Sequence, residues 1–228
     1  VSADEDALGA VLRAEFSVPD PLAGRLAVYG ALLLEANRRV NLTAARQPAA
    51  LAAHLADALT LAGDVDGELI DIGSGGGLPG IPLALATGVS VTLVDAIGKK
   101  VAFLERAIAA LGLDGAAIVA RAERLGHDPA YRGRFRVATA RAVSTAPTVA
   151  EFTLPLLAVG GKALLQRGVL ERAERQAVED AAPMLGGRFV EERPLDGERR
   201  LVVIEKVAAT PGRFPRRDGI PAKRPLCL

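Results

Sequence analysis

Residues 69 to 80 read Leu-Ile-Asp-Ile-Gly-Ser-Gly-Gly-Gly-Leu-Pro-Gly, and no other stretch restricts the fold as much. Four residues of strand character enter a glycine-rich turn, and the apolar run from Pro82 onward reads as helix. Such a unit presents backbone N–H groups and a helix start at the carboxyl end of a strand, where open α/β sheets bind small ligands. Residues 72–94 carry no charge, a length nominally sufficient to span a bilayer. Gly73, Gly75, Gly76, Gly77, Gly80, Gly88, Pro79 and Pro82 within it argue against a continuous lipid-facing helix. The segment therefore reads as a buried strand, loop, helix and strand, with no membrane association.

The remainder of the chain agrees with an α/β reading. Short apolar runs at 69–72, 89–94, 116–120, 136–140, 162–166, 189–193 and 201–205 predict seven strands. Helical patterns begin at Pro82 and cover 99–111, 146–157 and 170–185. This alternation implies crossover units and a mostly parallel sheet covered on both faces. The last two strands are joined by Pro194-Leu195-Asp196-Gly197-Glu198 with no helix between them, so they should pair as an antiparallel hairpin. Leu22, Leu26, Tyr29, Leu33 and Ala36, and the Ala/Leu-rich run 49–61, predict helices before the first strand, with Pro21 and Pro48 as helix starts. The expected organisation is a helical extension (1–66), an α/β core (67–207) and a Pro/Arg-rich tail (208–228), forming one compact unit.

Composition narrows the function. Of 228 residues half are hydrophobic but only 4% aromatic, and Trp is absent, so the core is built from Ala, Val, Leu and Ile. Cys227 is the single cysteine, which excludes an intramolecular disulfide framework and a Cys-ligated zinc site. No metal site is expected. The beginning, Val1-Ser2-Ala3-Asp4-Glu5-Asp6, is acidic where a secretory signal is basic, and a cytoplasmic location is the expectation. The net charge of +1 conceals an asymmetry. Residues 206–228 hold six basic groups against Asp218, a local +5, whereas the first 205 residues hold 22 basic and 26 acidic groups, a net of −4. A basic tail on a mildly acidic body suits a polyanionic partner.

Two patterns overlap in the glycine turn. Gly75, Gly77 and Gly80 satisfy G-x-G-x-x-G, with Asp95 at the end of the second strand, as a nicotinamide-dinucleotide fold requires. Asp71, Gly73, Gly75 and Gly77 satisfy the acidic version found in S-adenosylmethionine (AdoMet) methyltransferases. A pyrophosphate is poorly served by a carboxylate two residues before the first glycine, whereas AdoMet presents an ammonium and a sulfonium. Asp71 therefore favours AdoMet. Asp95 can accept from ribose hydroxyls under either reading. A purely structural alternative makes the glycines a tight turn and Asp71 a helix cap. Ala122 and Glu123 follow the third strand, where a small residue and a carboxylate can flank an adenine and its amine. Arg141 ends the fourth strand, aimed at the ligand crevice of a parallel sheet.

Asn41-Leu42-Thr43-Ala44, His54-x-x-Asp57-Ala58-Leu59, Asp71 through Pro82, Lys99-Lys100-Val101-Ala102-Phe103-Leu104, Arg121-Ala122-Glu123, Arg141-Ala142 and Gly197 through Val203 together resemble the RsmG (GidB) family. These are bacterial AdoMet-dependent methyltransferases of the small ribosomal subunit, and the resemblance spans roughly 35–225. It implies a Rossmann-like AdoMet-dependent methyltransferase fold and methylation of guanine 527 of 16S rRNA at N7, with S-adenosylhomocysteine as product. By motif position it implies cofactor contacts from Gly73, Leu78, Ala122, Glu123 and Arg141, to which the residue reading adds Asp71, Gly75 and Asp95. The chain departs from the family at three places. Gly76 stands where Ala or Pro is common, a change harmless in a glycine-tolerant loop. Arg167 replaces a usual lysine, keeping the charge but altering its geometry. Arg200 stands where histidine is frequent.

Guanine N7 carries a lone pair and no proton, so its methylation needs alignment rather than a general base or a covalent intermediate. The body of the chain holds no cysteine for attack on a pyrimidine and no Asn-Pro-Pro-aromatic run to hold an exocyclic amine. No catalytic base is assigned. His127, before Asp128-Pro129, reads as a solvated loop residue. His54 and Asp57 share a helical face, where orienting RNA or a cofactor lid and a structural hydrogen bond are both open. Asn41, Arg141, Arg167, Arg199, Arg216 and Arg217 are the expected RNA-side residues, and the partner is small-subunit rRNA or the small subunit itself, met by a monomer. Two other readings stand beside this one: a nicotinamide-dependent oxidoreductase, and a noncatalytic RNA-binding assembly factor that has kept the fold.

Overall fold

A computed structural model describes residues 2–195 and 197–228. Asp196, in the expected hairpin connection, and Val1, in the acidic beginning, lie outside the described residues. The chain opens with helices α1 (Ala3–Ala14), α2 (Leu22–Asn37) and α3 (Pro48–Leu59). It then alternates through β1 (Leu69–Ile72), α4 (Gly80–Thr87), β2 (Val91–Asp95), α5 (Gly98–Leu111), β3 (Gly115–Val119) and α6 (Ala122–Leu125). There follow β4 (Phe135–Arg141), α7 (Ala146–Thr153), β5 (Leu157–Arg167), α8 (Arg172–Met184), β6 (Gly187–Pro194), β7 (Arg200–Lys206) and α9 (Ile220–Lys223). The seven strands form one sheet in the order β3-β2-β1-β4-β5-β7-β6. β2 with β3, β1 with β4 and β4 with β5 are parallel; β7 is antiparallel to both β5 and β6. The expected terminal hairpin forms, and β7 slots between β5 and β6. No helix of the described residues is long and apolar enough to cross a membrane.

Two compact units make up the chain, Val1–Val65 with Ser74–Val119, and Asp66–Gly73 with Ala120–Leu228. In the first, α1 to α3 bury Leu8, Leu12, Leu26, Leu33, Leu51 and Leu55 completely. α1 starts on Ser2, whose hydroxyl accepts the Glu5 N–H at 3.2 Å, and Asp4, Glu5 and Asp6 occupy its first turn, where carboxylates complement the helix dipole. β2 is buried along its whole length, whereas β3 at the sheet edge is largely exposed.

In the second unit β1 is buried at every residue and β4 at five of seven, the burial of a parallel strand covered on both faces. β5 begins at Leu157, five residues before the expected start, because Gly160 and Gly161 interrupt the apolar pattern. Gly161 lies where a Cβ would meet the Arg136 carbonyl oxygen at 2.7 Å, so strand passes strand too closely there for a side chain. The C-terminal segment is packed rather than loose. Phe214 and Pro221 are buried, and the Arg132 guanidinium donates to the carbonyls of Thr210 (2.7 Å) and Phe214 (2.9 Å).

Candidate functional site

In the unit carrying β1 and β4, Asp71 is completely buried and lies opposite Thr139 in the parallel ladder. The Thr139 hydroxyl donates to Asp71 Oδ1 at 2.8 Å. A carboxyl group this deep requires hydrogen-bond partners. The hydrogen bond places Asp71 as a ladder-facing carboxylate rather than a helix cap. At Gly73 φ is +70°, and a Cβ would fall 2.7 Å from Val143 Cγ2, so sterics and backbone angle both demand glycine. Arg141 closes β4 opposite Gln166, and the chain turns at Ala142, whose φ of +53° is costly for a residue with a Cβ.

That turn is clamped from one side. Arg167, at the end of β5, donates to the Ser144 carbonyl at 3.1 Å and pairs with Glu174 of α8 at 2.5 Å. The same Glu174 oxygen accepts the Ala146 N–H at 2.6 Å, at the start of α7. Burial lowers the Arg167 pKa from its ordinary value, against the opposing pull of Glu174 and Glu192. An expected RNA-side cation is thus an internal clamp, because its position at a strand end directs it to a neighbouring helix.

Glu123, expected beside an adenine amine, is also buried, and its Oε1 accepts the Gly219 N–H at 2.8 Å and faces Arg121 at 3.4 Å. Ala122, buried, begins α6. Arg216 of the tail grips Glu151 of α7 through Nε and NH2 at 2.6–3.1 Å, and the Glu151 carboxylate is wholly buried. Arg216 therefore has a structural partner, since a buried carboxylate needs a cation. Arg217 is exposed and Arg199 partly so. His127 is not merely solvated: its ring Nε2 lies 2.6 Å from the Pro215 carbonyl, which can only accept, so Nε2 carries a proton.

In the other unit the glycine turn is fastened to β2. The Ser74 N–H donates to the Val94 carbonyl and the Val94 N–H to Ser74 Oγ, both at 2.9 Å. The Gly75 N–H donates to Asp95 Oδ2 at 3.1 Å, and Asp95 Oδ1 accepts the Ile97 N–H at 2.9 Å. Lys100 stands 3.7 Å from the same carboxylate. Gly75 and Asp95, 20 residues apart, are thus brought together. Gly77 has φ +97° and leaves 2.5 Å between a would-be Cβ and Ile81 Cδ1. Leu78, partly exposed, precedes α4.

The helical extension reaches this turn. The Tyr29 hydroxyl donates to the Gly76 carbonyl at 2.6 Å, and a Cβ on Gly76 would sit 2.8 Å from Leu33 Cδ1 and 3.1 Å from the Leu42 carbonyl. A larger residue at 76 is consequently not free in this chain, since Leu33 and Leu42 would have to give. Asn41 is exposed on a loop organised by Asn37, whose Oδ1 accepts the Leu42 and Thr43 N–H groups and whose Nδ2 donates to Thr43 and Ala45 carbonyls. His54 and Asp57 lie on α3, where Asp57 is buried.

Tyr29, Asn37, Ser74, Thr139, Glu151 and Glu174 are supporting residues that the sequence reading does not single out. Thr139 had a signal: it is the one uncharged polar side chain of β4, set among the apolar residues between Arg136 and Arg141, and such a group needs a partner. Tyr29, Ser74 and Glu151 act across long sequence separations, whereas Asn37 and the Arg167 bond of Glu174 act within eight residues but through irregular turns that carry no periodic pattern.

A carboxylate just before the glycine turn suits an ammonium-bearing ligand better than a pyrophosphate. A wholly buried Asp71 precedes the glycines and Asp95 accepts from the turn's own backbone, so the ionisable groups on those strand ends are carboxylates. Similarity to known proteins agrees. Residues 23–202 match the family described as GidB, rRNA small subunit methyltransferase G. The chain is 44% identical over 211 residues to the ribosomal RNA small subunit methyltransferase G of Rubrobacter xylanophilus, covering 86% of this chain and 81% of that protein. It is 43% identical to that of Roseiflexus castenholzii, covering 89% and 91%. Among solved structures, the ribosomal protein L11 methylase of Lactobacillus delbrueckii subsp. bulgaricus shares the fold, with a TM-score of 0.54, 16% identity, and coverage of 69% and 80%.

Proposed function

The chain belongs to the small subunit rRNA methyltransferase G family, and from that premise we propose that it transfers a methyl group from AdoMet to N7 of guanine 527 in 16S rRNA, acting as a cytoplasmic monomer. We retain for it a helical extension (1–66), a methyltransferase core (67–207) and a basic tail (208–228). The observation that carries the reading is Asp71, a fully buried carboxylate leading into a positive-φ glycine turn, which suits a cationic ligand and opposes a pyrophosphate.

Asp71, Gly73, Gly75, Leu78, Asp95, Ala122, Glu123 and Arg141 are the proposed cofactor residues. Asp71 offers charge to an ammonium. Asp95, already fixed by the Gly75 and Ile97 N–H groups, offers an oriented carboxylate edge to ribose hydroxyls. Because Glu123 Oε1 is held by Gly219, its contribution near adenine comes from the remaining carboxylate oxygen and the backbone beside Ala122. When bound, AdoMet supplies a methyl group on a sulfonium. The protein's task is to hold guanine N7 in line with it, and no side chain has to accept a proton, because N7 has none to lose. Arg141 and Asn41 are the proposed guanine-side residues. Arg167 acts one step removed, by holding Ser144 in the turn after Arg141.

Thermal unfolding with S-adenosylhomocysteine or NADH tests the cofactor assignment. Protection by the first alone is expected; protection by NADH alone would return the oxidoreductase reading.

A further inference from the structure

We propose that an open cleft between α6 and the tail is a docking surface for an RNA phosphodiester backbone, with Arg213 and Arg217 as its phosphate contacts. This rests on the rRNA methyltransferase reading and names where, on one unit, the polymer is held. The cleft has a volume of about 630 Å³ and is lined by Arg124, His127, Arg213, Arg216, Arg217 and Asp218 among others.

The charges around it are not equivalent. Counting the direct partners of its lining, five arginines (Arg121, Arg124, Arg213, Arg216, Arg217) face three carboxylates (Glu123, Glu151, Asp218), a surplus of two. Glu123 is answered by Arg121 and the Gly219 N–H, and Asp218 by Arg124 at 2.7 Å and Arg121 at 3.6 Å. Arg216 is committed to Glu151. Arg213 and Arg217 are exposed and pair with no carboxylate among the described residues. The surplus thus resides on these two guanidinium groups, whose planar donors match phosphate oxygens.

Their support is rigid. Arg213 lies over the Phe214 ring, 5.0 Å from its centroid, and Phe214 is buried. The backbone on either side is held by Arg132 to the Thr210 and Phe214 carbonyls, by His127 to the Pro215 carbonyl and by Glu123 to the Gly219 N–H. A basic segment that could be read as a mobile arm is thus a fixed wall, so little ordering entropy opposes binding. An open cleft with unpaired arginines, and Phe214 turned inward, suits a charged polymer backbone rather than stacked bases.

The test is an Arg213→Gln/Arg217→Gln double variant, which removes both charges, and with them the guanidinium over Phe214, while keeping polar side chains at both exposed positions. With undermethylated small subunits as substrate, KM should rise at least tenfold at about 0.1 M salt, and the log–log salt dependence of 16S rRNA transcript binding should become shallower by about two. Melting temperature and S-adenosylhomocysteine affinity should stay at wild-type values. A wild-type KM and salt slope in the double variant would overturn the cleft even while methyl transfer confirms the enzyme. Wild-type protein that binds the transcript through these arginines but transfers no methyl group would overturn the enzyme and leave the cleft. Competition by polyglutamate as effective as by RNA would overturn the RNA assignment in favour of an acidic protein partner.

Discussion

The Tyr29 hydroxyl donates to the Gly76 carbonyl across 2.6 Å, joining residues 47 apart in sequence and tying the helical extension to the glycine turn. Tyr29 is fully buried. Tyr29→Phe leaves that carbonyl without its donor in a buried setting, at a cost of about 1–2 kcal/mol. Urea unfolding should report this loss, and S-adenosylhomocysteine should bind more weakly because the turn is less fixed. Unchanged stability and affinity would mean that the extension does not support the turn.

Arg216 and Glu151 form a partly buried pair whose carboxylate has no access to solvent. Arg216→Ala strands that charge, and a loss on the order of 3 kcal/mol is expected. Glu151→Gln, which removes the charge and keeps the shape, should cost less. If Arg216 served RNA alone, its removal would leave the melting temperature unchanged.

Lys206 is buried, donating to the Leu154 carbonyl at 2.7 Å, the Leu185 carbonyl at 3.2 Å and the Thr210 hydroxyl. Burial, with repulsion from Arg132 adding to it, lowers its pKa from 10.5 to about 8. Below pH 8 both folded and unfolded chains are protonated, and the fold carries the full cost of a buried charge. Between about pH 8 and 10.5 the unfolded chain holds a proton that the folded one has released, so stability from this group rises with pH. Wild type should therefore gain on the order of 3 kcal/mol relative to Lys206→Met across that window. Parallel stability–pH curves for the two proteins would contradict this.

Glu174 accepts from both Arg167 and the Ala146 N–H, so Glu174→Ala releases the 141–145 turn at two points. A loss of about 2 kcal/mol is expected from one charge-assisted and one ordinary hydrogen bond. If the turn positions Arg141, kcat should fall more than KM rises. Arg167→Lys keeps the charge but cannot make both bonds in the same geometry, so it should restore part of the stability of Arg167→Ala. A Glu174→Ala enzyme that loses stability alone would confine the clamp to folding.

Most of the core was legible because parallel strands announce themselves. Leu69–Ile72 is a short apolar run entering glycines, and its position agrees to the residue. β5 was less so: its first half passes through Gly160 and Gly161, where close strand contact replaces the side-chain pattern on which a window depends. In the glycine turn, Gly75 and Asp95 could be linked from their spacing, and a hydrogen bond joins them. The tail misleads for a physical reason. Prolines and arginines give the composition of a free arm, but Arg132, Glu151 and Glu123 fix it from 65 to 96 residues away. The Arg167–Glu174 pair lies only seven residues apart, but it joins a strand end to the next helix across a turn, where no periodic pattern marks it, and its link to Ala146 spans 28 residues.

The account turns on Asp71 serving a methyl donor. Undermethylated small subunits incubated with labelled AdoMet and either wild type or Asp71→Asn, followed by nucleoside analysis of the 16S rRNA, test it directly. The account predicts one labelled 7-methylguanosine per subunit with wild type, and with the folded variant at least a tenfold lower rate. Absence of label with wild type, or label on any nucleoside other than 7-methylguanosine, would contradict it.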